Sequence, residues 1–227
     1  MRADLALLRL HVEAVWHLTL PDIHNGDNTL PETVQPTWAL YLARLTDGQQ
    51  VRLWRADVAE TARKHLLARA EAALALSPDD SIVDERISRE VALVRREPPR
   101  LDSQAASLIA RRLTGDDREL LSRLTQYVDY YLGEECAPVF IVVEDGRIVC
   151  MAHSSRRREH ACELGIDTLL DARRRGYALA ATVLWAEAVA AEGREPFYSA
   201  LAENSASLAL AHAAGYRPFA HGVSVES

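Results

Sequence analysis

Arg173-Arg174-Arg175-Gly176-Tyr177-Ala178 is the stretch on which the reading of this 227-residue chain turns. Before it runs Ala161-Cys162-Glu163-Leu164-Gly165-Ile166-Asp167-Thr168-Leu169-Leu170, which reads as a strand. After it, Leu179, Val183, Ala186 and Ala190 recur at helical spacing as far as Glu192. A strand, a glycine turn and a helix start make an anion cradle from backbone alone. The first amides of a helix lack partners within it and point outward, and the helix dipole adds partial positive charge there. A phosphate-bearing ligand is the expectation. The turn contains neither Gly-Lys-Ser/Thr nor Gly-x-Gly-x-x-Gly, which disfavours a nucleoside-triphosphate loop and a dinucleotide fingerprint. A single glycine with small Ala178 two residues on lets backbone approach a pyrophosphate closely, with Arg174 or Arg175 at the phosphate rim.

Outward from the turn the chain alternates strands and helices. Downstream, residues 196–201 read as a strand, 205–214 as a helix stopped by Gly215, and 216–225 as a last strand. Upstream, residues 139–143 form a continuously apolar strand, expected to be covered on both faces. Asp145-Gly146 turns it into a hairpin partner at 147–153. Residues 108–113 read as a short strand, and Thr114-Gly115-Asp116-Asp117 as the cap of a helix running to about Leu132. Pro98-Pro99 marks a boundary, which divides the chain into residues 1–100 and 101–227. In the first region, 5–20 and 38–58 read as strands, the latter split by the hairpin signal Thr46-Asp47-Gly48-Gln49. Residues 59–76 read as a helix ending before Ser77-Pro78, and 84–94 as a second helix.

Composition sets the class. Apolar residues make up 48% and charged residues 26%, the balance of a soluble globular protein. A net charge of −7 argues against a general nucleic-acid binder. Cys136, Cys150 and Cys162 leave one thiol over and show no metal-ligand spacing. Asp22, His24 and Asp27 around Gly26 read as a polar turn rather than a metal loop, so no metal is expected. No signal-peptide pattern and no membrane-length apolar run stand out, which gives a reduced, cytoplasmic compartment as the expectation.

The run from Glu163 to Thr168, followed by Arg173 to Ala178, resembles motif A of the GNAT superfamily of N-acetyltransferases. Tyr198-Ser199-Ala200, Asn204, Ser207 and Ala214-Gly215-Tyr216 are similar to the strand and helix that follow it in that family. The resemblance spans roughly residues 105–227 and leaves 1–100 unexplained. It implies an α/β (α+β) fold with a GNAT-like mixed central sheet flanked by helices, plus an additional N-terminal α/β region. It also implies transfer of an acetyl group from acetyl-CoA to a primary amine of a small molecule or protein, by direct attack within a ternary complex. The pyrophosphate would rest on the amides of Arg174, Arg175, Gly176, Tyr177, Ala178 and Leu179, assisted by the arginines including Arg173. The pantetheine arm would follow Ile166, Asp167 and Thr168, and Asn204 and Ser207 would meet the cofactor near the second splayed strand.

Amine acetylation needs a neutral nitrogen, a stabilised oxyanion and a proton for the leaving thiolate. Glu163 is the candidate general base, directly or through water. On a strand it shares a face with Gly165 and Asp167, and a buried carboxylate is costly unless paired or used. A structural pairing with arginine is the alternative. Many members of the family carry a proton-donating tyrosine seven residues after the asparagine; here Ala211 stands there, with His212 beside it as a candidate catalytic substitute. Cys162 reads as a small buried hydrophobe rather than a nucleophile. Tyr127, Tyr130, Tyr131 and Glu134 fall on one helical face and could form an acidic, aromatic wall for a cationic amine; plain core packing is the alternative. A non-catalytic acyl-CoA-binding or interaction protein is the competing function. Residues 1–100 are left with three open roles: a degenerate copy of the fold, a lid, or a homodimer surface.

Overall fold

The computed structural model describes residues 4–77, 80 and 84–226. The chain divides into two units: Met1–Leu93, Ser199–Leu208 and Pro218–Ser227 form the first, Val94–Tyr198 and Ala209–Arg217 the second. The division is not a single cut at Pro98-Pro99, because the chain returns twice to the first unit.

The first unit contains α1 (Asp4–Trp16), β1 (Gly26–Thr29), β2 (Trp38–Leu45), β3 (Gln50–Trp54), α2 (Glu60–Ala75), and most of β4 (Ile87–Arg95) and β10 (Tyr216–Glu226). Its strands lie in the order β1-β3-β2-β10-β4. The hairpin expected at Thr46–Gln49 joins antiparallel β2 and β3, and β1 runs parallel to β3. Helix α2 presents Leu66, Ala70 and Ala73 to Leu40, Leu42, Trp54, Val223 and Val225; the spacing of four and three residues makes one helical stripe.

Two expectations fail here. Residues 5–20 are not a strand: Asp4–Trp16 is α1, with Leu7, Leu8, His11 and Val12 buried at helical spacing. An apolar run this long, rich in leucine and alanine, favours helix once its turns can pack. Residues 84–94 are not a helix: β4 occupies Ile87–Arg95. Its two charged side chains, Arg89 and Glu90, find partners on other elements. Arg89 donates to the carbonyls of Leu76, Ser77 and Asp80 at 3.1, 3.1 and 2.7 Å. Glu90 accepts from the Tyr41 hydroxyl at 2.6 Å and lies 3.3 Å from His11 Nε2. Pro78, the expected stop after α2, lies outside the described residues.

The second unit contains α3 (Ser103–Ser107), β5 (Arg111–Arg112), α4 (Arg118–Ser122), α5 (Val128–Leu132), β6 (Phe140–Glu144), β7 (Arg147–Arg157), β8 (Ala161–Thr168), α6 (Tyr177–Ala191) and the start of β9 (Glu195–Leu201). Its strands run β9-β8-β7-β6-β5, antiparallel except for β8 with β9. The chain thus has the expected fold class, a mixed sheet flanked by helices. On one face α6 covers β6, β7 and β8, and Trp185 Nε1 donates to Ser154 Oγ at 3.1 Å. The other face carries Leu113, Leu121, Cys136, Val139, Ile141, Ile148 and Met151. The strand read at 108–113 shrinks to β5. The single helix expected from 114 to about 132 is broken into a 3₁₀ turn at Gly115–Asp117, α4 and α5. At the break Thr125 Oγ1 accepts from the Tyr127 amide at 3.1 Å, a local bond that competes with helix. β6 is covered on both faces only in part, since Val143 is 37% exposed.

Candidate functional site

β8 has two halves. It pairs in parallel with β9 only at Ala161↔Glu195, Cys162↔Pro196 and Glu163↔Phe197. With β7 it stays paired as far as Cys150↔Thr168. From residue 164 to 168 the strand therefore has a partner on one edge and, among the described residues, no β9 pairing on the other. Pro196 cannot donate to the ladder, and the register ends one residue beyond it.

The open edge leads into the turn. A 3₁₀ turn at Leu170–Ala172 is followed by two left-handed residues, Arg174 at φ 60° and Gly176 at φ 82°. Gly176 caps α6, whose first internal bond is from the Ala180 amide to the Gly176 carbonyl at 3.0 Å. The amides of Tyr177, Ala178 and Leu179 precede that bond and are the outward-facing donors of the helix start. A Cβ built on Gly176 meets nothing within 4 Å.

The three arginines do different things. Arg175 Nη1 is held by both Glu144 carboxylate oxygens at 2.8 and 2.9 Å, and Tyr177 donates its hydroxyl to the same group at 3.0 Å. Arg173 Nε donates to the Thr168 carbonyl at 3.3 Å. Arg147 pairs with Asp171 at 2.5 Å and holds that carboxyl below its usual range. Arg174 is exposed and makes no hydrogen bond or ion pair among the described residues. Two arginines brace the turn; one is free to reach a ligand.

Glu163 is buried in β8, on the face it shares with Gly165 and Asp167. Burial holds the Tyr216 phenol well above its ordinary value, and the Glu163 charge adds to the effect. Tyr216 is fully buried, its ring is 5.6 Å from Tyr198, and its hydroxyl has no hydrogen-bond partner. In the sequence Tyr216 stands out only as part of Ala214-Gly215-Tyr216, and nothing local marks it as lying within the field of the carboxylate. Cys162 is fully buried, and burial pushes its thiol up.

Of the acceptor-wall residues, Tyr131 is half-buried and packs edge-on against His153, with ring centres 5.2 Å apart. Tyr127 is exposed at the start of α5. Glu134 is exposed and lies past Gly133 in a 3₁₀ turn, so the shared helical face ends before it. His212 is exposed in the last turn of α7 (Ser205–Ala213), whereas neighbouring Ala211 is fully buried. Asn204 and Ser207 lie in the first unit, where Asn204 Oδ1 accepts from the Ser207 amide at 3.0 Å and caps that helix. Among the described residues no cluster of His, Cys, Asp and Glu is arranged to hold a metal, and no helix is long and apolar enough to cross a membrane.

A sequence model described as GNAT acetyltransferase matches residues 108–220. No curated protein gives a significant match. Among solved structures, a GNAT-family acetyltransferase from Novosphingobium aromaticivorans is 21% identical, with TM-score 0.49 over 63% of this chain and 66% of its own. One from Colwellia psychrerythraea is 14% identical, TM-score 0.47, over 61% and 56%. A GCN5-related N-acetyltransferase-like protein from Streptococcus suis is 15% identical, TM-score 0.46, over 85% of each. The chain thus spans about two thirds of the first of these proteins and just over half of the second.

Proposed function

Because the chain belongs to the GNAT superfamily of acetyltransferases, we propose that it transfers an acetyl group from acetyl-CoA to a primary amine of a small molecule or protein, by direct attack in a ternary complex. The observation that carries this reading is the open edge of β8 running into a left-handed glycine turn at the start of a 15-residue helix. Main-chain groups of Ile166, Asp167 and Thr168 on that edge suit an extended, amide-bearing arm that adds like a strand. The amides of Tyr177, Ala178 and Leu179 suit a pyrophosphate. Arg174 suits its rim, while Arg173 and Arg175 keep the turn in shape. Asn204 and Ser207 retain the cofactor role implied by the resemblance.

The thioester supplies an electrophilic carbonyl; the protein's part is to hold the reactants in line and to move protons. Glu163 takes a proton from the attacking nitrogen, directly or through water. Tyr216, held protonated, is a donor within electrostatic reach of that carboxylate. With Ala211 buried at the proton-donor position and His212 exposed beside it, the thiolate takes its proton from water or another side chain. The same two residues favour a second reading, a non-catalytic acyl-CoA-binding protein.

Thermal unfolding and thiol release separate the two. Acetyl-CoA at a hundredfold excess over Kd should stabilise the protein by about 2.7 kcal/mol, and a primary amine should then release free thiol. Stabilisation without thiol release across an amine panel selects the binding protein. Neither effect removes both.

A further inference from the structure

His153 is a polar residue in a place that packing alone does not explain. It lies on β7 opposite Gly165 of β8 and is only 7% exposed. Its ring leans across the ladder: a Cβ on Gly165 would stand 2.4 Å from Cε1 and 2.6 Å from Nε2. The imidazole therefore stands over β8 itself, the strand whose other edge is open from residue 164 onward. Tyr131 from α5 closes against it nearly perpendicular, at 87°. Nδ1 is buried with no hydrogen-bond partner. A leucine would fill the space above Gly165 without leaving a buried polar atom unmet.

The surroundings match one chemistry. Asp167, exposed and two residues along the same face of β8, acts on both His153 and Tyr131. Burial lowers the His153 pKa and Asp167 opposes that shift, so the ring is neutral at pH 7 and has a carboxylate at hand when it gains a proton. The Tyr131 phenol is held above its ordinary value, first by burial and then by Asp167, and stays protonated. Glu163 is the other titratable group on this face of β8. A primary alkylammonium must lose two protons on its way to an amide, one before it can attack and one afterwards. A single carboxylate leaves the first unassigned.

We infer that His153 is a further catalytic residue of the proposed transfer, whose Nε2 takes the first proton from a cationic amine acceptor. The ammonium N–H bond breaks, its electron pair stays on nitrogen, and the proton binds the imidazole. The Asp167 charge favours the imidazolium so formed. Glu163 receives the second proton after attack, and both groups return their protons to the thiolate or to solvent. The assignment rests on the acetyl-transfer reading and narrows its acceptor to amines that arrive protonated. A primary alkylamine, with a pKa of about 10, is such an acceptor.

The test follows thiol release from acetyl-CoA against primary alkylamines as a function of pH. His153→Gln should lower kcat/KM about 10²-fold at pH 7, with acetyl-CoA binding retained. The deficit should shrink as the pH approaches the amine's own pKa, where the free base needs no first proton acceptor. Asp167→Asn, at an exposed position, should move the acid limb of the profile to lower pH, because it removes the charge that favours the imidazolium. A deficit constant with pH, no deficit, or an unmoved acid limb in Asp167→Asn overturns the assignment. If His153→Gln loses acetyl-CoA binding, the Asp167→Asn profile decides. Failure of the wild-type chain to release thiol with any amine instead removes the acetyl-transfer reading, and this assignment with it.

Discussion

The two sides of β8 are built on opposite principles. Past its open edge, the turn at 173–179 presents backbone: two left-handed residues, three outward amides, and arginine side chains spent mostly on bracing. On its face, Glu163, His153, Tyr131 and Asp167 present side chains from three elements, with Gly165 making room between them. A backbone site is contiguous and tolerant of side-chain identity. A side-chain site is scattered and intolerant. Substitutions should therefore sort by side: changes at the turn act on cofactor binding, changes on the face act on turnover.

The largest effect is expected at Gly176. Gly176→Glu places a carboxylate in the cradle, and the open space around it lets the fold survive despite roughly 1–2 kcal/mol for a left-handed non-glycine residue. Acetyl-CoA binding by calorimetry should be abolished while circular dichroism is unchanged. Next is Glu163→Gln, expected to cut turnover at neutral pH by about 10²-fold with acetyl-CoA affinity retained. Unchanged turnover and pH profile would break the division of labour.

Much of the turn was legible from the chain because its meaning is local: one glycine, a strand before it and a helix after it. The hairpin at Gly48, which has φ 90°, was legible for the same reason. The face of β8 was not. His153 means little until Gly165 is set opposite it, and Tyr216 means little until its ring is buried within the field of Glu163. Register across strands decides the first and tertiary burial the second, and neither is written in one segment alone. The misread elements failed similarly. Helix α1 is apolar on too many sides to show a period, and β4 carries charges whose partners are distant in sequence.

Smaller effects sharpen the contrast within the turn. Arg174→Ala should weaken acetyl-CoA binding about tenfold, in line with loss of one charge-assisted hydrogen bond, and the loss should be smaller at high salt. Arg175→Ala should instead lower the melting temperature, by removing the Glu144 contacts. Equal effects of the two on binding would contradict their different roles.

The smallest effect lies in the scaffold. Arg111 and Thr114 hold the Asp117 carboxyl down at about 2, against 3.8 for the free group. A depressed carboxyl stabilises the fold above the unfolded value, and that stability is lost as pH falls from about 4 toward 2. With Arg111 half exposed, screening reduces the effect to about 1 kcal/mol. Asp117→Asn should show this loss in denaturant melts at pH 7 and match the wild type near pH 2.

The most direct test of the central claim is a crystal structure of the chain with acetyl-CoA. The pyrophosphate should lie on the amides of Tyr177, Ala178 and Leu179, with the pantetheine arm along Ile166, Asp167 and Thr168 and the thioester beside the Glu163 end of β8. A cofactor bound elsewhere, or an empty turn at saturating acetyl-CoA, would contradict it.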